Sequence, residues 1–180
     1  MAVMDFFELV KARRSVRAYE AQAVEEGKLE QILEAANRAP SAGNLQAYVI
    51  LVVRNSPAKQ ALVRAAFKQE FLAQAPVVLA FFAHRLVSAS KYRQRGTELY
   101  SIQDASIACA YAQLAATGLG LCTVWVGAFD DAEVSRVLKA KPEWRPVALL
   151  PIGYPAESPE PTPRRPLAEV SGDANHEHAP

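Results

Sequence analysis

TELYSIQDASIACAYAQLAAT, residues 97–117, is the stretch on which the fold turns. It contains neither proline nor glycine until Gly118, so the spacing predicts one long helix from Thr97 to Thr117. Ile102, Ala105, Ile107, Ala108, Cys109, Ala110 and Leu114 spread over most of its faces. A helix that is apolar nearly all round has no side to offer water, so this one is expected at the centre of the molecule and almost fully buried.

Working outward toward the C-terminus, Leu121–Phe129 reads as a strand. Asp130 and Glu133 have the spacing of a capping box for a helix through Lys139, and Val147–Ile152 reads as a further strand. Toward the N-terminus, the stretch between His84 and Gly96 is basic and polar, and is read as a loop or a solvated surface. It is preceded by a strand over Val77–Ala83, and Ser56-Pro57 looks like the N-cap and first-turn proline of a helix. Tyr48–Val53 (YVILVV) is an unbroken apolar, β-branched run and therefore a buried strand. Leu29, Ile32, Leu33 and Ala36 keep helical spacing ahead of Pro40, and Asp5 caps a short helix ending near Arg13. Five of the twelve prolines crowd into residues 155–166, which cannot be helix and must run as an extended arm. No βα unit repeats. The expectation is a single α+β domain over 1–170, with 171–180 a disordered tail.

The chain has 180 residues, enough for a core that needs neither disulfides nor metal. A formal charge of +1 gives no general attraction for nucleic acid or an anionic membrane. Two cysteines, Cys109 and Cys122, cannot build a disulfide framework and read as inert buried thiols. The opening MAVMDFFELVKARRS lacks the pattern of a signal peptide, and no run of about 18 apolar residues occurs. A soluble cytoplasmic protein without metal is expected.

Three short segments carry the polar chemistry. In Arg13-Arg14-Ser15-Val16-Arg17, Arg13 and Arg17 share a side whether the chain is helical or extended, and Ser15 joins them if it is extended. Two guanidinium forks and a hydroxyl suit a phosphate, although a basic helix end facing solvent would read the same way. Ala39-Pro40-Ser41-Ala42-Gly43-Asn44-Leu45-Gln46 is a tight loop whose Ser41, Asn44 and Gln46 could read the edge of a planar heterocycle, or simply make a turn. Pro163-Arg164-Arg165-Pro166-Leu167 puts two charges on the proline-rich arm.

These segments, with LYSIQDASIA, LAATGLGLCTVWVGAF and PVALLPIGYPAE, resemble the FMN-dependent nitroreductase family in order and spacing over roughly residues 5–170. The resemblance is nearest to its short bacterial and archaeal members. It implies a mostly antiparallel sheet of four to five strands surrounded by helices, in an intertwined homodimer with FMN sites at the interface. On that resemblance Arg13 and Ser15 match positions that hold the FMN phosphate and ribityl chain, with Arg14 beside them. Arg17 matches a basic residue at the flavin N1/C2=O edge, where positive charge stabilises reduced flavin. Pro40, Ser41 and Asn44 match the pyrimidine side, with Gln46 nearby. Val124, Trp125, Val126 and Gly127 resemble a strand end whose backbone flanks the ring. Arg164 matches a C-terminal phosphate ligand, and Arg165 is its alternative if the register slips.

The activity so implied is ping-pong transfer of hydride from NAD(P)H to nitroaromatic or quinone acceptors. Lys91, Tyr92 and Tyr100 are candidates for the substrate pocket. A flavin carrier or redox sensor, or a specialised relative acting in dehalogenation or biosynthetic dehydrogenation, is the alternative. Two departures from the family stand out. Gln46-Ala47-Tyr48 replaces a common Gln-Pro-Trp, and Lys141-Pro142-Glu143-Trp144 intervenes before the last strand, with Trp144 expected on the surface.

Overall fold

The computed structural model describes residues 4–173. Four strands form one antiparallel sheet in the order β1-β2-β4-β3: β1 (Tyr48–Val53), β2 (Val77–His84), β3 (Cys122–Thr123) and β4 (Trp144–Gly153). The helices are α1 (Phe6–Ala12), α2 (Glu26–Asn37), α3 (Ser56–Ala65), α4 (Phe71–Gln74), α5 (Arg85–Arg95), α6 (Ser101–Gly118) and α7 (Asp131–Val137). The architecture is α+β. Most of the predicted tail, residues 174–180, lies outside the described residues.

The sheet is covered on both faces, which explains why its strands are continuous apolar runs. Alternate residues of β2 enter opposite cores. Leu79 and Phe81 pack with Ile32 of α2 and Ala108 and Ala112 of α6, whereas Ala80 and Phe82 pack with Leu62 of α3 and Val134 of α7. α6 meets the first core through Ala108, Cys109, Ala112 and Ala116, all fully buried, and residues this small let helix and sheet approach closely.

Its other side corrects the expectation of near-complete burial. Ala110 and Tyr111 are exposed, and Ile102, Ile107 and Leu114 are only partly covered. α1 beside it buries no residue and leaves Phe6, Phe7 and Val10 open. An apolar strip therefore runs along both helices.

Elsewhere the differences have local causes. The expected strand 121–129 shrinks to Cys122–Thr123 and one further bridge, where Val126 and Leu149 exchange both hydrogen bonds (3.0 and 2.9 Å). Two residues back along the same register the next such pair would be Val124 with Pro151, and a proline has no N–H to give. The stretch read as a basic loop is α5, broken at Arg93 (φ 51, ψ −133) and followed by a π-helical turn, Gly96–Tyr100, which delays the start of α6 to Ser101. Asn55, not Ser56, caps α3 and accepts from the Ala58 N–H at 3.1 Å. Asp130 caps α7 as predicted, accepting from the Glu133 N–H. The reciprocal bond is not made: the Asp130 N–H donates to Ala65, and the Glu133 carboxylate turns to Arg136. Trp144, expected on the surface, is partly buried: it opens β4 opposite His84, in ring contact with Phe82.

Cys109 is fully buried and Cys122 nearly so. Burial pushes the Cys122 thiol up to about 12 from 9.0, helped by Glu157, and raises that of Cys109 as well. Both folded thiols thus stay protonated where unfolded ones ionise. Their contribution is complete below about pH 9 and is lost as pH rises toward 12. We expect neither thiol to react with a disulfide reagent at pH 8 until the chain unfolds, and a thiol count during urea denaturation checks this.

Candidate functional site

Beyond α1 the chain is extended, which settles the open question about Arg13–Arg17. Ser15 bridges Thr123 in parallel, and the Val16 N–H donates to the Thr123 carbonyl at 3.1 Å. Val16 is buried beside Tyr19, Ala75 and Cys122. Residues i and i+2 of a strand share a side, so Ser15 and Arg17 face away from that core.

The proline-rich arm returns along the same strand. The Glu20 N–H donates to the Tyr154 carbonyl and the Ala156 N–H to that of Ala18, both at 3.0 Å, while the Glu157 carboxylate accepts from the Arg17 N–H. Held there, the arm lays Pro159–Arg164 across from α1. The two walls enclose a cavity of about 810 Å³ whose charged and hydroxyl-bearing lining is Lys11, Arg13, Arg14, Ser15, Arg17, Glu160, Thr162 and Arg164. Arg165 does not line it.

Burial lowers the pKa of the Arg13 guanidinium, and the nearby charges of Arg164 and Arg14 lower it further. Arg14 donates to the backbone carbonyls of Lys11 and Arg13, and Arg164 to those of Thr162 and Pro163. Among the described residues none of these four arginines pairs with a carboxylate. Cations gathered around a hydroxyl, repelling one another and ion-paired with no carboxylate although Glu160 lines the same cavity, fit a phosphate group.

A second polar cluster lies on the loop between α2 and β1. Gly43, Asn44 and Gln46 all have left-handed φ (59, 57 and 43). Side-chain bonds hold this strained path. Ser41 Oγ accepts from the Gln46 N–H at 3.0 Å, and Gln46 Nε2 donates to Asn44 Oδ1 at 2.7 Å. Asp104, on α6 and only 2% exposed, holds the loop at both ends. Its Oδ1 accepts from the Ala42 N–H at 2.8 Å and its Oδ2 from the Ala47 N–H at 3.4 Å. The three substrate-pocket candidates gather here. A Cβ on Gly43 would stand 2.5 Å from Tyr92 Oη and 2.8 Å from Lys91 Nζ, and the Tyr92 and Tyr100 rings meet edge to face at 5.0 Å.

The arginine cavity includes no residue of this loop. Nor does it include the third predicted group, in which Val124 and Val126 point into the core and leave the backbone, Gly127 and the part-exposed Trp125 indole outward.

The sequence matches the Nitroreductase family over residues 10–70 and 56–154. A protein named "NADH dehydrogenase" from Thermus thermophilus is 34% identical, over 94% of this chain and 96% of its own. The chain belongs to the Nitroreductase family. A Bacillus subtilis protein named "FMN reductase [NAD(P)H]" is 32% identical over 88% of this nitroreductase and 69% of its own length. Among solved structures, that of B. megaterium NfrA2 superposes with a TM-score of 0.89 at 29% identity, covering 96% of this chain and 75% of that one.

Sequence reading missed two residues of this nitroreductase's site. The only signals in the sequence are that Asp104 is one of two acids in the apolar stretch 97–117 and that Glu157 is a charge among prolines. Both act on backbone N–H groups, which leave no mark in a sequence. Among the described residues, no group of three or more His, Cys, Asp or Glu could hold a metal, and no helix is long and apolar enough to cross a membrane.

Proposed function

We propose that this nitroreductase is a cytoplasmic, FMN-dependent oxidoreductase that uses NAD(P)H to reduce nitroaromatic, quinone or similar electron-poor acceptors. The observation that carries the reading is the set of four arginines lining one cavity with no carboxylate partner. The relatives named NADH dehydrogenase and FMN reductase support the cofactor and the donor. When bound, FMN supplies two-electron chemistry, accepting hydride from NAD(P)H and passing the electron pair to the acceptor in alternation.

Arg13, Arg14, Ser15 and Arg164 hold the phosphate, and Arg17 places positive charge at the N1/C2=O edge. Pro40, Ser41, Asn44 and Gln46 take the pyrimidine side, the backbone from Val124 to Gly127 flanks the ring, and Lys91, Tyr92 and Tyr100 face the acceptor. The arginine cavity and the polar loop are separate within one chain. We therefore place each FMN between two chains of a homodimer, whose contact covers the apolar strip of α1 and α6. Residues 1–170 act as one FMN-binding domain.

Purification without added flavin tests this directly. A yellow dimer that carries FMN and is bleached by NADH or NADPH is expected, and a flavin that neither nucleotide bleaches would count against an oxidoreductase. Arg13→Ala and Arg164→Ala should each weaken FMN binding by about 1.5–3 kcal/mol, roughly 10- to 100-fold, through lost charge-assisted hydrogen bonds. Titration of flavin fluorescence measures this, and unchanged dissociation constants in both variants would refute the phosphate clamp.

A further inference from the structure

Helix α5, RLVSASKYRQR, carries Arg85, Lys91, Arg93 and Arg95 and no acidic residue. Solvated basic helices ordinarily offset such charge with acids one turn away. Here Glu98 is the nearest along the chain, and it accepts instead from the Gln94 amide at 2.9 Å. Among the described residues Lys91, Arg93 and Arg95 pair with no carboxylate.

Two of these cations are fixed on aromatic rings. Lys91 Nζ lies 5.5 Å from the centre of the Tyr92 ring, and the Arg95 guanidinium 5.3 Å from that of Tyr100, whose hydroxyl accepts from Arg95 Nε at 2.9 Å. The edge-to-face contact of the two rings joins both pairs into one cluster. The cluster abuts the polar loop, because Tyr92 Oη and Lys91 Nζ occupy the space that a side chain at Gly43 would need. Positive charge and flat apolar surface thus stand together beside Ser41, Asn44 and Gln46.

We propose that the acceptor preferred by this enzyme is an anionic planar aromatic, a nitroaromatic or quinone carrying a carboxylate or sulfonate. Its ring packs on Tyr92 and Tyr100 and its anionic group pairs with Lys91 and Arg95. This assignment rests on the reading of the chain as a flavin oxidoreductase. A neutral acceptor gains the ring contact but nothing from the two cations. For a nitrobenzoate the reaction is nitrobenzoate + NAD(P)H + H⁺ → nitrosobenzoate + NAD(P)⁺ + H₂O. The nucleotide supplies both electrons, one N–O bond breaks, and that oxygen leaves in water.

The test compares kcat/KM for 4-nitrobenzoate with that for 4-nitrobenzamide, which has the same shape without the charge. In the FMN-loaded enzyme the carboxylate-to-amide ratio should fall about tenfold in a Lys91→Ala/Arg95→Ala double variant, the loss of roughly one charge-assisted hydrogen bond. In the unmodified enzyme it should fall several-fold when ionic strength rises from about 0.02 to 0.3 M, which shortens the screening length. The affinity for 4-nitrobenzoate, read from the change it causes in the visible flavin band, should weaken in parallel. A ratio that stays within twofold in both arms, with flavin content intact, overturns the proposal. The salt arm needs no variant and decides the matter if the double variant does not fold. A chain that holds no flavin, or whose flavin NAD(P)H does not bleach, overturns the oxidoreductase reading and the proposal with it.

Discussion

Asp104→Ala is expected to lower the free energy of unfolding by about 3 kcal/mol, the cost of two orphaned backbone donors. Removing a carboxyl group from the interior would by itself relieve a desolvation penalty. Here the relief is outweighed, because the Ala42 and Ala47 N–H groups lose their acceptor and Ala47 is fully buried, where no water replaces it. The damage is local in origin. It releases a loop that keeps Gly43, Asn44 and Gln46 in left-handed conformations, each of which relaxes once its ends are free. FMN affinity should therefore fall together with stability. Asp104→Asn keeps the shape and one accepting oxygen, so roughly half the loss is expected, its NH₂ facing one donor of the pair. Urea unfolding monitored by circular dichroism, beside a flavin titration, measures both. A variant as stable as the parent would show that the two hydrogen bonds carry no weight.

Gly96→Ala should be equally damaging, at about 3 kcal/mol, for a steric reason. At Gly96 the chain lies against α5 so closely that an added Cβ would stand 2.5 Å from the Ser88 carbonyl oxygen and 2.7 Å from its carbon. Backbone atoms inside a helix cannot step aside as a flexible side chain can. The backbone at Gly96 is ordinary helix (φ −61, ψ −46), so alanine's better propensity should favour the variant by about 1 kcal/mol and is overruled by the clash. Gly27 in α2 supplies the opposite case. A Cβ there meets nothing within 4 Å, and Gly27→Ala should stabilise by about 0.5–1 kcal/mol. Paired thermal melts of the two variants test the argument by sign.

Much of the fold was legible because burial writes itself into side chains. The bounds of β1, Tyr48–Val53, are read to the residue because the run is apolar and β-branched, but as an edge strand it is less buried than expected: Val53 alone is buried and Val52 is exposed. What escaped notice depended on the backbone. The strand after α6 stops where Pro151 withholds an N–H, and the sequence of α5 reads as a loop or solvated surface because its charges hide a helix that kinks at Arg93. The candidate site divides in the same way. Arg13, Arg14, Ser15, Arg17 and Arg164 were nameable, and the structure gathers them, because arginine and serine advertise anion chemistry. Asp104 and Glu157 were not, because they serve main-chain groups.

The arm that closes the arginine cavity also sets a timetable. The hydrogen bond joining Arg17 to Glu157 spans 140 residues, and Arg164 lies further along still. A ribosome adding about 5–20 residues each second makes the Arg13–Arg17 strand many seconds before the opposite wall exists. Throughout that interval the strand has Thr123 to pair with only after α6 is made, and no second wall for an anion to bridge. Closing a loop this long is slow and entropically costly, and it comes late in folding. On the proposed assignment of Arg164 to the phosphate, cofactor capture is expected only after the proline-rich segment is made, and a nascent chain paused before it should hold no flavin.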